Sequence, residues 1–334
     1  MTQETKLASH FQQLYGHPPA AIARAPGRVE FIGNHTDFNG GAVLGAGINR
    51  HVWVAVSRGN PGQFRFSSDQ KPNVQTLPAG TIAKQTGALA WLNYPLGIWL
   101  SLGKAGLPHP TDFNFLVHSD LPPGAGLSSS AALELATALA FLKLAGADPI
   151  SPQKLVEIGR DAENNFVGVP CGVLDQGTSA FARRDHLVYI DCSGPTFSTT
   201  PMPAGLRLWV FNSSTKHALI DGMYAQRHDE CQQAAKALGV TLLVTFSPEE
   251  FRKRRSALSP VLAKRAEHIV EEQARVGKVV SALAVGNIAE VGQLLTASHR
   301  SSQYLFENST PELDFLVDQL TAAPGVYGAR LTGG

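Results

Sequence analysis

The 334-residue chain carries 28 Lys and Arg against 27 Asp and Glu, with 43% hydrophobic residues. That balance excludes the basic footprint of a nucleic-acid or anionic-membrane binder and leaves enough apolar material for the cores of two domains. No apolar run reaches the roughly 20 residues of a spanning helix, and the polar N-terminus MTQETKLASHFQQLYG does not read as a secretion signal. Cys171, Cys192 and Cys231 are too few and too scattered for a disulfide framework or a zinc site. A cytoplasmic protein with reduced thiols is expected.

In chain order, residues 7–15 read as a short helix leading to a strand at Ala21–Ala25. Val29–Ile32, Val43–Val56 and Phe64–Phe66 read as further strands, the longest rich in alternating and β-branched residues. Residues 82–103 space aromatics and leucines as a helix does, and Phe113–His118 is again a strand. Pro122 and Pro123 then stop the chain before a loop that feeds an Ala/Leu helix ending at Gly146. That helix is apolar almost all round and should be buried. Residues 151–166 form an amphipathic helix with Leu155, Val156, Ile158 and Ala162 on one face. HLVYIDC at 186–192 and LRLWVFNS at 206–213 read as strands. Helices are expected at 217–238, 260–284, 287–305 and 310–321. Strands followed by helices, without regular βα alternation, predict an α+β protein, divided near Arg183–Asp185 into residues 1–185 and 186–334.

Two stretches carry more chemistry than a turn requires. GRVEFIGNHTDFNGG at 27–41 places an Arg, a Glu, an Asn, a His and an Asp between a short strand and a glycine turn. LPPGAGLSSSA at 121–131 puts Gly124, Gly126, Ser128, Ser129 and Ser130 at the start of the Ala/Leu helix. The free N–H groups and dipole of a helix N-terminus attract anions, and small residues let a phosphate approach the backbone. A single serine would suffice as a helix cap; three behind a glycine pair predict a phosphate cradle. It is not a P-loop, because GxxxxGK[ST] is absent, and the protein-kinase motifs are absent too.

These two stretches resemble the first motifs of the GHMP small-molecule kinases, and the first resembles the galactokinase signature within them. CGVLDQGTSAF at 171–181, NSSTKHALIDGMYAQRHDEC at 212–231 and SHRSSQYLFENSTPELDFLV at 298–317 are similar, in order, to further segments of that family. The resemblance implies an N-terminal domain like ribosomal protein S5 domain 2 and a ferredoxin-like C-terminal domain. It implies ATP-dependent phosphorylation of the C1 hydroxyl of galactose, giving galactose 1-phosphate and ADP, by a monomer with small-molecule partners only.

By the same resemblance Asp175 is the catalytic base, taken to lie in a loop, as the attacking hydroxyl requires. Arg28 would neutralise charge on the phosphoryl group and hold Asp175 ionised. Glu163, twelve residues before Asp175, and Ser130 would hold Mg²⁺, which needs only one or two protein ligands beside phosphates and water. Asn34, His35, Asp37 and Tyr224 would contact the sugar.

Three departures stand out. Where the family reads GRVNLIGEHTD, this chain has Glu30 for Asn and Asn34 for Glu. A neutral Asn34 would not repel a negative group at C6, so a C6-modified sugar such as galacturonate is a rival substrate. N-acetylgalactosamine is another, and a non-catalytic galactose and ATP sensor is a third reading. Thr310 replaces the usual cysteine, with no functional consequence expected. The chain stops at GARLTGG, the opening of the third motif. The missing strands would leave a sheet edge uncovered, so an incomplete C-terminal domain and weak or no activity are expected of these 334 residues.

Overall fold

The computed structural model describes residues 2–79, 82–122, 124–169, 171–213 and 220–333. Among them the strands are β1 (Ala21–Ile32), β2 (Ala42–Ser57), β3 (Gln63–Ser68), β4 (Lys71–Pro78), β5 (Phe113–Ser119), β6 (His186–Asp191) and β7 (Thr196–Pro201). The helices are α1 (Gln3–Tyr15), α2 (Asn93–Lys104), α3 (Ser129–Leu144), α4 (Pro152–Asp161), α5 (Leu174–Phe181), α6 (Ile220–Leu238), α7 (Pro248–Arg254), α8 (Pro260–Ala284), α9 (Ile288–Ser301) and α10 (Pro311–Thr321). They fall into two compact units. One comprises Met1–Arg28, Gly47–Pro123 and Leu127–Ala182; the other comprises Val29–Ala46, Gly124–Gly126 and Arg183–Gly334.

In the first unit β3 pairs antiparallel with β4 and parallel with β5, and β5 pairs antiparallel with Val52–Ser57 of β2. Phenylalanines alternate along β3 and β5 and so reach one face. Phe64 stacks on Phe113 with centroids 4.4 Å apart, and Phe141 of α3 closes on Phe113 at 4.7 Å. The other face of the sheet takes α1, whose Leu7 and Phe11 pack on Trp53, Ala55 and Leu116. In the second unit the first residues of β2 pair with β6, and β6 with β7. Helices α6 and α8 share a core built on Ala234, Leu238, Phe251, Ile269 and Phe306.

Most predicted elements are present, and the differences have physical causes. The two predicted strands around Pro26-Gly27 are one, β1, because proline and glycine are tolerated where a strand need not donate. The helix expected from 82 to 103 begins only at Asn93, preceded by a 3₁₀ turn at Gly87–Leu92. The helix expected over 151–166 is α4 followed by a π turn, Ala162–Val167. Asp175 sits in the first turn of α5 rather than in a loop. LRLWVFNS does not form a strand. Residues 206–213 run without regular structure, and Trp209 stands 81% exposed. Residues 217–219 of the expected helix, and Pro123, lie outside the described residues. Thr310 caps α10, its hydroxyl accepting from Leu313 N at 3.3 Å.

Candidate functional site

The first unit gathers Arg28, Ser128, Ser130, Glu163 and Asp175. Arg28, from β1, is 6% exposed and donates Nε (2.9 Å) and Nη2 (2.5 Å) to Asp175 Oδ1. The second carboxylate oxygen, Oδ2, accepts from Ser128 Oγ at 2.5 Å. Ser128 therefore does not cap α3 with its side chain. Its backbone takes the left-handed region at φ 53°, a strained choice for a residue with a Cβ, and that conformation accompanies a hydroxyl turned toward Asp175. Gly124 (φ 68°) and Gly126 (φ 66°) are left-handed as well. Ser129 is exposed and Ser130 half-buried at the start of α3.

Behind Asp175 lies a buried acidic cluster. Gln176 Nε2 donates to Glu163 Oε2 at 2.5 Å and to Glu134 Oε2 at 3.0 Å, and Cys171 Sγ lies 3.3 Å from Glu163. Burial first, then the charge of Asp175, raises the Glu163 carboxyl above its ordinary range; hydrogen bonds from Cys171, Gln176 and Ser130 oppose this. Fully buried Glu134 is pushed well up by burial and by the charge of Glu163. Sequence reasoning missed Glu134, Gln176 and Cys171. An acid inside an otherwise apolar helix was the available signal for Glu134.

The second unit gathers Asn34, His35, Asp37 and Tyr224. Gly33 starts the turn at φ 109°, where an added Cβ would lie 2.9 Å from Ala42 O and from Val43 Cα; only glycine fits. His35 follows at φ 60°. Its ring lies 5.5 Å from Tyr224, 5.6 Å from Phe38 and 4.6 Å from Phe306. Asp37 opens a half-exposed 3₁₀ turn, Asp37–Asn39. Asn34 is 1% exposed, and its amide is engaged by protein groups: Nδ2 donates to Glu30 (3.3 Å), while Oδ1 accepts from Ser302 (3.2 Å) and Asn308 (3.0 Å). Glu30 in turn is held by Arg330 at 2.5 Å in a buried pair. The turn is pinned from beneath by Glu272, wholly buried, whose Oε1 accepts from the N–H groups of Gly33 (3.1 Å) and Asn34 (3.2 Å). None of Glu272, Ser302, Asn308 and Arg330 was singled out from sequence, since each is distant in the chain from the turn it serves.

His268 Nε2 lies 3.1 Å from the Asn34 carbonyl, which can only accept, so the proton is on Nε2; Nδ1 accepts from Ser301 Oγ at 2.8 Å. Burial lowers the pKa of His35 to about 3, aided by His268 and Arg227, and burial lowers that of His268 to about 4. Both rings are neutral across the physiological range. The unfolded imidazoles titrate near 6.5, so their contribution to stability is full above that pH and is lost as pH falls toward 4 and then 3. Denaturant unfolding at pH 7.5 and pH 5 is expected to show a loss of about 2 kcal/mol per ring at the lower pH. His268→Gln should reduce that loss by its own share.

Comparison with known proteins identifies the family. Residues 9–58 match the galactokinase galactose-binding signature, 93–183 the N-terminal domain of GHMP kinases and 279–334 their C-terminal domain. The chain is 37% identical over 339 residues to the galactokinase of Roseiflexus sp. strain RS-1, covering 100% of this chain and 85% of that protein. With the galactokinase of Pasteurella multocida it shares 35% over 342 residues, covering 100% and 88%. The crystal structure of Lactococcus lactis galactokinase complexed with galactose superposes with a TM-score of 0.91 at 30% identity, over 99% of this chain and 87% of that one. The mevalonate kinase of Methanococcus jannaschii, 18% identical, shares the fold at a TM-score of 0.62 over 94% and 87%. With a sequence signature, two curated relatives and a solved structure in agreement, the chain belongs to the galactokinase family of the GHMP kinases.

Proposed function

We propose that Asp175 and Arg28 are the catalytic pair of a galactokinase, an enzyme that phosphorylates galactose with ATP. The observation that carries this reading is the constellation around Asp175: a carboxylate half open to solvent, gripped on one oxygen by a buried guanidinium and on the other by a serine of the glycine-serine loop. Asp175 takes the proton of the attacking C1 hydroxyl, and Arg28 both orients it and offsets charge on the transferring phosphoryl group. Gly124, Gly126, Ser128, Ser129 and Ser130 form the phosphate cradle at the start of α3. Asn34, His35, Asp37 and Tyr224 hold the sugar. The same reading divides the chain near residue 185 into the two kinase domains.

Magnesium fits Glu163 and Ser130. Glu163 is buried and bears a repulsion from Asp175 that a dication relieves, and Ser130 lies near enough to help lower its pKa. One carboxylate and one hydroxyl suit an ion that keeps water and phosphate in its shell. Among the described residues no cluster of three or more His, Cys, Asp or Glu is placed to hold a metal. When bound, the ion would neutralise phosphate charge. Glu163→Gln is expected to raise the half-saturating Mg²⁺ concentration at least about tenfold, read from initial rates across a magnesium titration. An unchanged titration curve would remove Glu163 from the metal site.

ADP release tests the function itself. Galactose, galacturonate, 6-deoxygalactose and N-acetylgalactosamine are supplied in turn with ATP. Galactose is expected to give the highest kcat/KM. Binding of galactose and ATP without ADP would instead identify a sensor.

A further inference from the structure

Asn308 follows a π turn, Ser302–Phe306, that continues α9. Its Nδ2 lies 3.0 Å from Asn34 Oδ1 and 3.1 Å from His35 Nε2. The direction of these hydrogen bonds is set at the far end of the chain of groups. Arg330 holds the Glu30 carboxylate, which can only accept, so Asn34 turns its NH₂ toward Glu30. Asn34 Oδ1 must then face Ser302 and Asn308, and Asn308 must present its own NH₂. Its second N–H points at His35 Nε2, which therefore accepts and leaves the imidazole proton on Nδ1.

Asn308 is itself held in place. The last carbonyls of a helix lack partners within it, and here two buried guanidinium groups supply them. Arg265 Nη1 donates to Leu305 O at 2.6 Å; Arg227 donates to Phe306 O at 2.7 Å and Glu307 O at 3.3 Å. Both arginines share Glu230 Oε2, at 2.9 and 2.7 Å, and Arg265 also grips the Glu307 carboxylate at 2.8 Å. Glu307 adopts φ 57°. Three consecutive carbonyls immediately before Asn308 are thus fixed by side chains from α6 and α8.

We propose that Asn308 is a positioning residue that sets the specificity of the sugar site, by imposing the Nδ1–H form on His35 and a single orientation on the Asn34 amide, with Arg227 and Arg265 holding it there. The proposal rests on the reading that Asn34, His35, Asp37 and Tyr224 bind galactose. A hexose hydroxyl both donates and accepts, so a pocket whose own groups can reorient accommodates epimers. A pocket with fixed donors and acceptors leaves a misplaced hydroxyl, and its own groups, unpaired.

The test uses the full chain, Asn308→Leu and Asn308→Asp. For Asn308→Leu the galactose KM is expected to rise at least tenfold with kcat within threefold. The preference for galactose over glucose, as a ratio of kcat/KM values, should narrow at least tenfold. Nitrogen-15 spectra of the imidazoles, assigned with His35→Gln, should show His35 protonated on Nδ1 alone. Asn308→Asp should move protonation to Nε2, because a carboxylate there demands a donor. Arg265→Met should reproduce part of the KM increase, and Arg265→Lys should restore part of it. An unchanged KM and epimer ratio in both Asn308 variants, or an Nε2–H proton on His35 in the parent chain, overturns the proposal. Failure of the parent chain to phosphorylate galactose overturns the functional reading instead, and the spectra still decide the tautomer. If Asn308→Leu does not fold, Asn308→Asp and the parent spectra carry the decision.

Discussion

Asp175→Asn is expected to lower kcat on the order of 10³-fold while leaving the galactose KM within a few-fold of the parent value. The substitution preserves shape. An asparagine oxygen still accepts from Arg28, and the Ser128 hydroxyl can rotate to accept from the new NH₂. What disappears is the proton-accepting role proposed for the carboxylate, a loss that would fall on the chemical step alone. Single-turnover rates of galactose phosphorylation measure it, with thermal melts confirming the fold. Arg28→Met should be comparably damaging, because it removes the charge proposed to face the phosphoryl group and frees Asp175 Oδ1 from its two donors. Ser128→Ala should cost far less, on the order of tenfold, since one hydrogen bond to Oδ2 is lost and the carboxylate stays. A variant with asparagine at 175 that retains full kcat would end the assignment of Asp175 as base.

The largest effect on stability is expected at Glu272. This carboxylate is wholly buried, yet it accepts from Gly33 N, Asn34 N and Ser298 Oγ, and from Arg275 Nε at 2.7 Å. Burial alone would raise its pKa; Arg275 first, then Arg330 and His268, overcome this and lower it to about 2. Glu272→Ala strands two backbone N–H groups and a guanidinium in one step. A loss of roughly 3–5 kcal/mol follows, seen as a fall in Tm on the order of 10 °C. Glu272→Gln should be milder. Because the folded carboxyl is held below its ordinary 4.5, its contribution is full above that pH and is lost as pH falls from 4.5 toward 2. Acid unfolding of Glu272→Gln should therefore be less steep in that window than that of the parent chain. Equal acid-unfolding slopes would show that Glu272 does not carry this linkage.

The parts of the site legible in sequence are those whose residues lie close together in the chain. Arg28, Asn34, His35 and Asp37 fall within ten residues, and the glycines and serines of 124–130 within seven, so motif and chemistry could be read together. The supports come from far away. Glu272 is 238 positions from Asn34, Arg330 is 300 from Glu30, and Asn308 is 273 from His35. No local pattern announces such partners. Among the elements, β4 and β7 escaped notice because KPNVQTLP and TFSTTP are polar and proline-bearing, and they gain order from pairing with β3 and β6. LRLWVFNS differs the other way: it has strong strand propensity and forms no strand, because propensity is a weak guide against tertiary context. The π turns after α4 and α9 are invisible to a 3.6-residue period, although Glu163 lies in the first and Asn308 just beyond the second.

The exposure of Trp209 has an optical consequence. The chain has four tryptophans. Trp53, Trp91 and Trp99 belong to the first unit and are buried or half-buried, whereas Trp209 belongs to the second and is 81% exposed. Emission from the first three lies further to the blue, while Trp209 emits to the red and is open to quenching by acrylamide or iodide. The melting of the first unit can thus be followed without a label through the red shift of its own tryptophans, against a nearly constant background from Trp209.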